Sequence, residues 1–300
     1  MALCPLCSQP SCSPPFCSQT QRIGRRKASV FFRSIALSKA TVATQPIEGQ
    51  KPGTSGLRKK VAVFTTEHYL ENFVQATFNA LKEAGQSPQV LVVGGDGRFG
   101  CKDAAQKIVA MAAANGVEHV IVGKDALLST PAVSALVRTH AAGPQGAFIL
   151  TASHNPGGPT GDFGVKYNCA NGGPAPEKVT DLIFQQTTTL QSYETVPAFP
   201  GLTLGAEGTA AFTVDGKPFQ ATVVDSVAHH AAVLHGVFDF GAIKALLARP
   251  DFTMVYDGMH GVGGPYARAI LVDELGAPEA ALMNCTPSED FGAGHCAAQS

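Results

Sequence analysis

No apolar run in this 300-residue chain approaches the ~20 residues that a membrane-crossing helix needs, so a globular chain with no membrane partner is expected. Cysteine is thinly spread: Cys101, Cys169, Cys285 and Cys296 are too scattered for a disulfide framework. Cys4, Cys7, Cys12 and Cys17 are close together, which admits a metal knuckle. However, Pro5, Pro10, Pro14 and Pro15 interrupt that segment, and no histidine or periodic apolar residue supports it. Acidic residues are absent from one end. Residues 1–47 contain no Asp or Glu but six of the 22 bases: Arg22, Arg25, Arg26, Lys27, Arg33 and Lys39. Residues 48–300 therefore carry 16 bases against all 23 acids, a net charge of −7. An acidic body lacks the basic face that displaces counterions, so no nucleic-acid partner is expected.

A basic, Ser-rich, acid-free start with no continuous apolar h-region has the composition of an organelle transit peptide. Residues 1–47 are expected to be such a disordered segment. Its length, serine content and weak amphipathicity favour the chloroplast stroma over the mitochondrion or the cytoplasm.

Beyond Lys59 the pattern alternates. Lys60–Phe64, Gln89–Val93, Glu118–Val122 and Ala147–Leu150 read as short buried strands. Leu70, Phe73, Val74, Thr77 and Leu81 share one face of a helix that Gly85 ends, and a second helix spans Lys102–Ala114. Thr130-Pro131 reads as an N-cap followed by a first-turn proline, opening a helix to about Thr139. Residues 184–225 look irregular. From Val227 a second unit is expected, with helices to Leu234, Phe240–Leu247 and Tyr266–Leu275 and a strand at Phe252–Tyr256. The fold class is α/β: a mixed sheet flanked by helices over residues 48–226, then an incomplete second α/β domain over 227–300.

Ligand groups in such sheets gather on loops past the carboxyl ends of strands. Gly94–Arg98 and Thr151–Pro156 both lie there. Ser153 leaves a buried strand directly and is followed by Asn155-Pro156-Gly157-Gly158, which neither continues a strand nor starts a helix. His154 is a neighbouring donor. Gly164-Val165-Lys166 brings a cation, and Gly53-Thr54-Ser55-Gly56-Leu57-Arg58 a Gly/Ser/Thr loop ending in a guanidinium. These residues make an anion-handling loop with a candidate nucleophile; a surface turn that merely satisfies backbone groups is the blander alternative. Asp96 and Arg98 read as structural pins. His229 and His230 are adjacent on a helix, point apart, and do not suggest a metal pair. Asp257–Gly261 reads as a structural loop of the second unit.

Taken together, Lys51–Lys59, Val92–Phe99, Leu128–Val133, Thr151–Gly158, Gly161–Lys166 and Asn171–Glu177 resemble the phosphoglucomutases, within the α-D-phosphohexomutase superfamily, from about residue 48 to Gly294. The resemblance implies interconversion of glucose 1-phosphate and glucose 6-phosphate through a phosphoserine and glucose 1,6-bisphosphate. It implies Ser153 as the phosphorylated residue, with His154 and Lys166 in proton transfer or substrate contact. Arg58, Ser55 and Thr54 are implied in phosphate binding, and Mg2+ is implied on the Ser153 phosphate. A phosphomannomutase-type specificity is the neighbouring alternative. The resemblance also implies a longer chain, with a D-x-D-x-D metal loop and a sugar-selecting loop that are not found here. A truncated product with little or no turnover of its own, acting if at all by binding, is therefore also expected.

Overall fold

Short β-branched runs alternating with amphipathic segments assemble into one eight-stranded mixed sheet. The computed structural model describes residues 35–53 and 55–293. In chain order the strands are β1 (Ile35–Leu37), β2 (Ala40–Ala43), β3 (Leu57–Lys60), β4 (Val90–Gly95), β5 (His119–Leu127), β6 (Gly146–Leu150), β7 (Asp162–Cys169), β8 (Ser192–Thr195), β9 (Gly208–Val214), β10 (Lys217–Val224), β11 (Tyr256–Asp257) and β12 (Leu282–Met283). The helices are α1 (Val61–Phe64), α2 (Tyr69–Glu83), α3 (Cys101–Ala114), α4 (Thr130–Thr139), α5 (Glu177–Thr189), α6 (Ala228–His235), α7 (Phe240–Leu247) and α8 (Gly263–Ala267). The main sheet runs β1-β9-β10-β5-β4-β6-β7-β3. Its centre, β10-β5-β4-β6, is parallel, whereas at one edge β7 pairs antiparallel with both β6 and β3, and at the other β9 opposes β10. Among the described residues no single helix is long and apolar enough to cross a membrane.

The central strands are covered on both sides, which explains their continuous apolar runs. Successive side chains nonetheless alternate between faces. Leu91 and Val93 of β4 enter the larger core with Phe73 and Leu81 of α2, Ile108 of α3 and Phe148 of β6. Val92 enters a smaller core with Ala147, Ile149 and Val133 and Leu136 of α4. Each such side chain, fully buried, contributes on the order of 1.5–3 kcal/mol.

The expected α2, α3 and α4 are present, and Gly85 (φ +72°) closes α2. Several expectations need correction. The strand lies at Leu57–Lys60, and Val61–Phe64 forms a helical turn instead. Val61 and Phe64, three residues apart, are both buried by that turn, and this tertiary gain overrides β propensity. The N-cap of α4 is Ser129, whose Oγ accepts from the Ala132 N–H at 3.3 Å. Residues 184–225 are only partly irregular: 196–207 are turns and coil, but the stretch also holds the end of α5, β8, and a β9–β10 hairpin. That hairpin turns on Asp215-Gly216, both at positive φ.

The disordered segment expected over residues 1–47 is corrected at its end. β1 pairs in parallel with β9, matching Ile35 to Phe212, and β2 pairs with β8, matching Val42 to Tyr193. Burial of Leu37 and the Lys39–Glu194 ion pair at 2.8 Å fix this stretch to the body. Residues 1–34, with Cys4, Cys7, Cys12 and Cys17, lie outside the described residues, as does Cys296.

After Val227, α6 lies beside α4, with Thr139 Oγ1 2.7 Å from His229 Nε2. Tyr266 of α8 enters the smaller core, and its hydroxyl accepts from the Ser129 N–H at 3.2 Å. The helix expected over Tyr266–Leu275 is α8 continued by a wider π-helical stretch, Arg268–Glu274. The expected strand shortens to Tyr256–Asp257 and pairs with β12.

Candidate active site

Parallel pairing of β4 with β6 places Gly95 opposite Leu150, so the loops that follow them leave the sheet side by side. The Asp96 N–H donates to the Leu150 carbonyl at 3.1 Å. Arg98 joins the two loops. Its side chain is entirely buried and grips the Asp96 carboxylate through Nε and Nη2. Nη1 donates to the Asp162 carbonyl at 2.7 Å and Nη2 to the Ser153 carbonyl at 2.9 Å. A buried guanidinium is tolerated where every face finds an acceptor, as here. Asp96 also accepts from the Thr151 hydroxyl at 2.5 Å, and that hydroxyl accepts from the Ser153 N–H at 2.9 Å.

This network holds Ser153 at φ +58°, in the left-handed region. A non-glycine residue there costs on the order of 1–3 kcal/mol and persists only where its surroundings over-determine it. Both backbone groups of Ser153 are tied, its N–H to Thr151 and its C=O to Arg98, while the residue itself remains exposed. The next residue, His154, is also exposed, and its Nδ1 lies 3.5 Å from Ser153 Oγ, the long limit of a hydrogen bond. Asn155 Nδ2 donates to Asp162 Oδ2 at 3.0 Å and fastens the far side of the loop.

The antiparallel edge supplies positive charge. Arg58 on β3 stands opposite Gly164, and Lys166 lies two residues further along β7. Both therefore project from one sheet face, the one opposite to buried Phe163, Val165 and Tyr167. Gly164 is required here, because a Cβ would meet the Thr151 carbonyl oxygen at 2.3 Å and Arg58 Cγ at 3.1 Å. That close approach brings Arg58 against the root of the serine loop. Burial, and next the charge of Arg58, push the Lys166 ammonium below the ordinary lysine range, with Asp96 opposing them. Among the described residues no carboxylate forms an ion pair with Arg58 or Lys166. Arg58 Nε is buried with no hydrogen-bond partner. A phosphoryl group on serine carries about −1.5 to −2 charges at pH 7, and two cations beside the loop that form no ion pair with a carboxylate suit such a load. Ser55 is exposed at the tip of a tight bridge in which Gly53 and Gly56 exchange hydrogen bonds of 3.1 and 3.0 Å; Thr54 lies outside the described residues.

Thr151 and Asp162 lie in the segments that the sequence singles out, but their side-chain roles were not foreseen, nor was the packing of a distant segment, Ser288–Phe291, on this loop. Thr151 directly precedes the loop and its hydroxyl was a legible signal. Phe291 meets Arg98, nearly two hundred positions away in sequence, and nothing local announces it.

Residues 49–194 match the family described as phosphoglucomutase/phosphomannomutase, alpha/beta/alpha domain I. The chain is 55% identical over 260 residues to the probable cytoplasmic phosphoglucomutase 1 of Arabidopsis thaliana, covering 85% of this chain and 45% of that protein. It is 56% identical over 257 residues to cytoplasmic phosphoglucomutase 2 of Zea mays, covering 84% and 44%. Among solved structures it is similar to the open form of the Paramecium exocytosis-sensitive phosphoprotein pp63/parafusin, a phosphoglucomutase. The TM-score is 0.83 at 45% identity, covering 87% of this chain and 48% of that one. The chain thus spans less than half the length of these relatives. The plant relatives are named as cytoplasmic enzymes, which corrects the chloroplast location expected from N-terminal composition.

Proposed function

We propose that this chain, whose residues 49–194 match the phosphoglucomutase/phosphomannomutase domain I family, carries a phosphoryl group on Ser153 and exchanges it with glucose phosphates. The observation that carries this reading is an exposed serine, locked in left-handed backbone, beside two cations without carboxylate partners. The phosphoserine gives its phosphoryl group to the free hydroxyl of glucose 1-phosphate or glucose 6-phosphate. The bond from phosphorus to Ser153 Oγ breaks and a bond to the sugar oxygen forms. The sugar's proton leaves through a nearby base, a role for His154 or Lys166, and glucose 1,6-bisphosphate results. Return of the other phosphoryl group regenerates the phosphoserine and releases the isomeric monophosphate. Phosphoryl transfer asks mainly for positioning and charge neutralisation. Arg58 and Lys166 supply the charge, and Ser55 and Thr54 supply further phosphate contacts.

Magnesium goes with the family reading, and its chemistry would be to neutralise the phosphoserine oxygens. It wants several hard oxygen ligands. The phosphate on Ser153 offers one, Asp96 is engaged by Arg98 and Thr151, and no three metal-binding side chains gather among the described residues. The described residues therefore do not make a magnesium site by themselves. The cytoplasm is the location that goes with this reading, after the names of the plant relatives.

The test is discharge of the phosphorylated chain by sugar phosphates, followed by quench and mass spectrometry. Glucose 1-phosphate is expected to remove the phosphate and yield glucose 1,6-bisphosphate faster than mannose 1-phosphate yields its bisphosphate. Faster discharge by mannose 1-phosphate would shift the reading to a phosphomannomutase.

A further inference from the structure

The turn Ser288–Phe291 lies far from the serine loop in sequence yet touches both loops of the site. The Glu289 carbonyl accepts from the Phe99 N–H and from the Gly158 N–H, each at 2.9 Å. One oxygen thus ties the loop that carries Arg98 to the loop that carries Ser153. The Phe291 ring, itself buried, lies 5.3 Å from the Arg98 guanidinium, within cation–π range. Gly157 makes the contact possible: a Cβ there would come within 2.8 Å of both the Glu289 oxygen and the Phe291 ring. The turn is itself anchored in the second unit. The Ser288 N–H donates to the His260 carbonyl at 2.9 Å, His260 Nδ1 lies 3.1 Å from the Thr286 carbonyl, and Asp290 accepts from the Ser288 hydroxyl and the Gly292 N–H. Phe291 holds φ +54° to aim its ring.

We propose that Ser288–Phe291 is a positioning element for the nucleophile, through which seating of the second unit sets the geometry of the Arg98 and Ser153 loops. Arg98 holds the Ser153 carbonyl, so a guanidinium capped by Phe291 keeps the serine in its left-handed pose. When the turn lifts away, the Arg98 side chain gains solvent, and the two loops lose their common acceptor. The proposal rests on Ser153 as phosphoryl carrier for its catalytic meaning, and on the loop contacts alone for its structural one.

The test uses the full chain in Phe291→Ala, Phe291→Tyr and Gly157→Ala forms. Amide hydrogen exchange is followed in peptides covering residues 96–100 and 153–161, with residues 130–139 as control, alongside phosphate uptake on Ser153 from glucose 1,6-bisphosphate. Phe291→Ala is expected to speed exchange in both site peptides by about ten-fold or more and slow phosphate uptake, with the control unchanged. Phe291→Tyr, which keeps the ring, is expected to restore both. Gly157→Ala reaches the same endpoint from the other side of the contact, and decides the matter if Phe291→Ala does not fold. Unchanged exchange at both site peptides in a folded variant overturns the proposal. Phosphate uptake that is absent in every form, with exchange altered as expected, sinks the phosphoryl-carrier reading and leaves the positioning contact standing.

Discussion

The sheet unit up to Val224 and the stretch beyond Val227 treat apolar residues in opposite ways. In the first, Phe73, Leu81, Leu91, Ile108, Ile121 and Phe148 are all buried to 2% exposure or less. In the second, α7 buries no residue, and Val237, Phe238, Leu246, Phe252, Val255 and Met283 are large, apolar and exposed. The sheet unit therefore draws its stability from its own core. The later stretch is held by discrete contacts: Tyr266 in the smaller core, His229 against Thr139, and the turn at Glu289 on the serine loop. The candidate site sits where the two meet. Ser153, the proposed phosphoryl carrier, is held by loops of the sheet, and the later stretch ties those loops through the Glu289 carbonyl.

Phe148→Ala removes a ring packed against Phe78 and Tyr167 and is expected to cost about 3–5 kcal/mol in denaturant unfolding. Leu246→Ala on α7 is expected to change stability by less than about 0.5 kcal/mol. Equal costs would erase the distinction. Next, Tyr266→Phe leaves the Ser129 N–H without its acceptor. It is expected to cost about 1–3 kcal/mol, with faster amide exchange confined to α4 and the residues after Val227. A smaller effect is pH-dependent. Burial, then a like-charged neighbour, lowers the imidazole pKa of His119 (neighbour His140), His140 (His229) and His230 (His229) below the ordinary 6.5. The unfolded chain takes up these protons first, so their contribution is intact above pH 6.5 and is lost as pH falls below it. A thermal midpoint that drops between pH 7 and 5.5, and drops less in His140→Gln, is the expected result.

Much of the site was readable because its residues act where local sequence puts them. Ser153 follows a buried apolar strand and precedes Asn-Pro-Gly-Gly, so its position past a carboxyl end needed only the alternation of elements. Arg58 and Lys166 were readable as cations but not as neighbours, because only the β3–β7 register brings them to one face. Asp215-Gly216 carried a hairpin signal between two β-prone runs, Ala210–Val214 and Phe219–Val224. Val61–Phe64 misled because β-branched residues at a strand end can be buried equally well by one helical turn. The strands at Ile35–Ala43 were hidden by an acid-free composition that resembles a leader up to and beyond the point where pairing begins. The contact of Glu289 and Phe291 with the serine loop lies outside any local pattern, since it joins residues more than 130 positions apart.

Mapping phosphate after exposure of the chain to glucose 1,6-bisphosphate tests the central claim most directly. Tandem mass spectrometry of the peptide that spans Thr151–Lys166 is predicted to find one phosphate, on Ser153, and none in Ser153→Ala. A phosphate placed on another residue, or no phosphate on Ser153 in the folded chain, would contradict it.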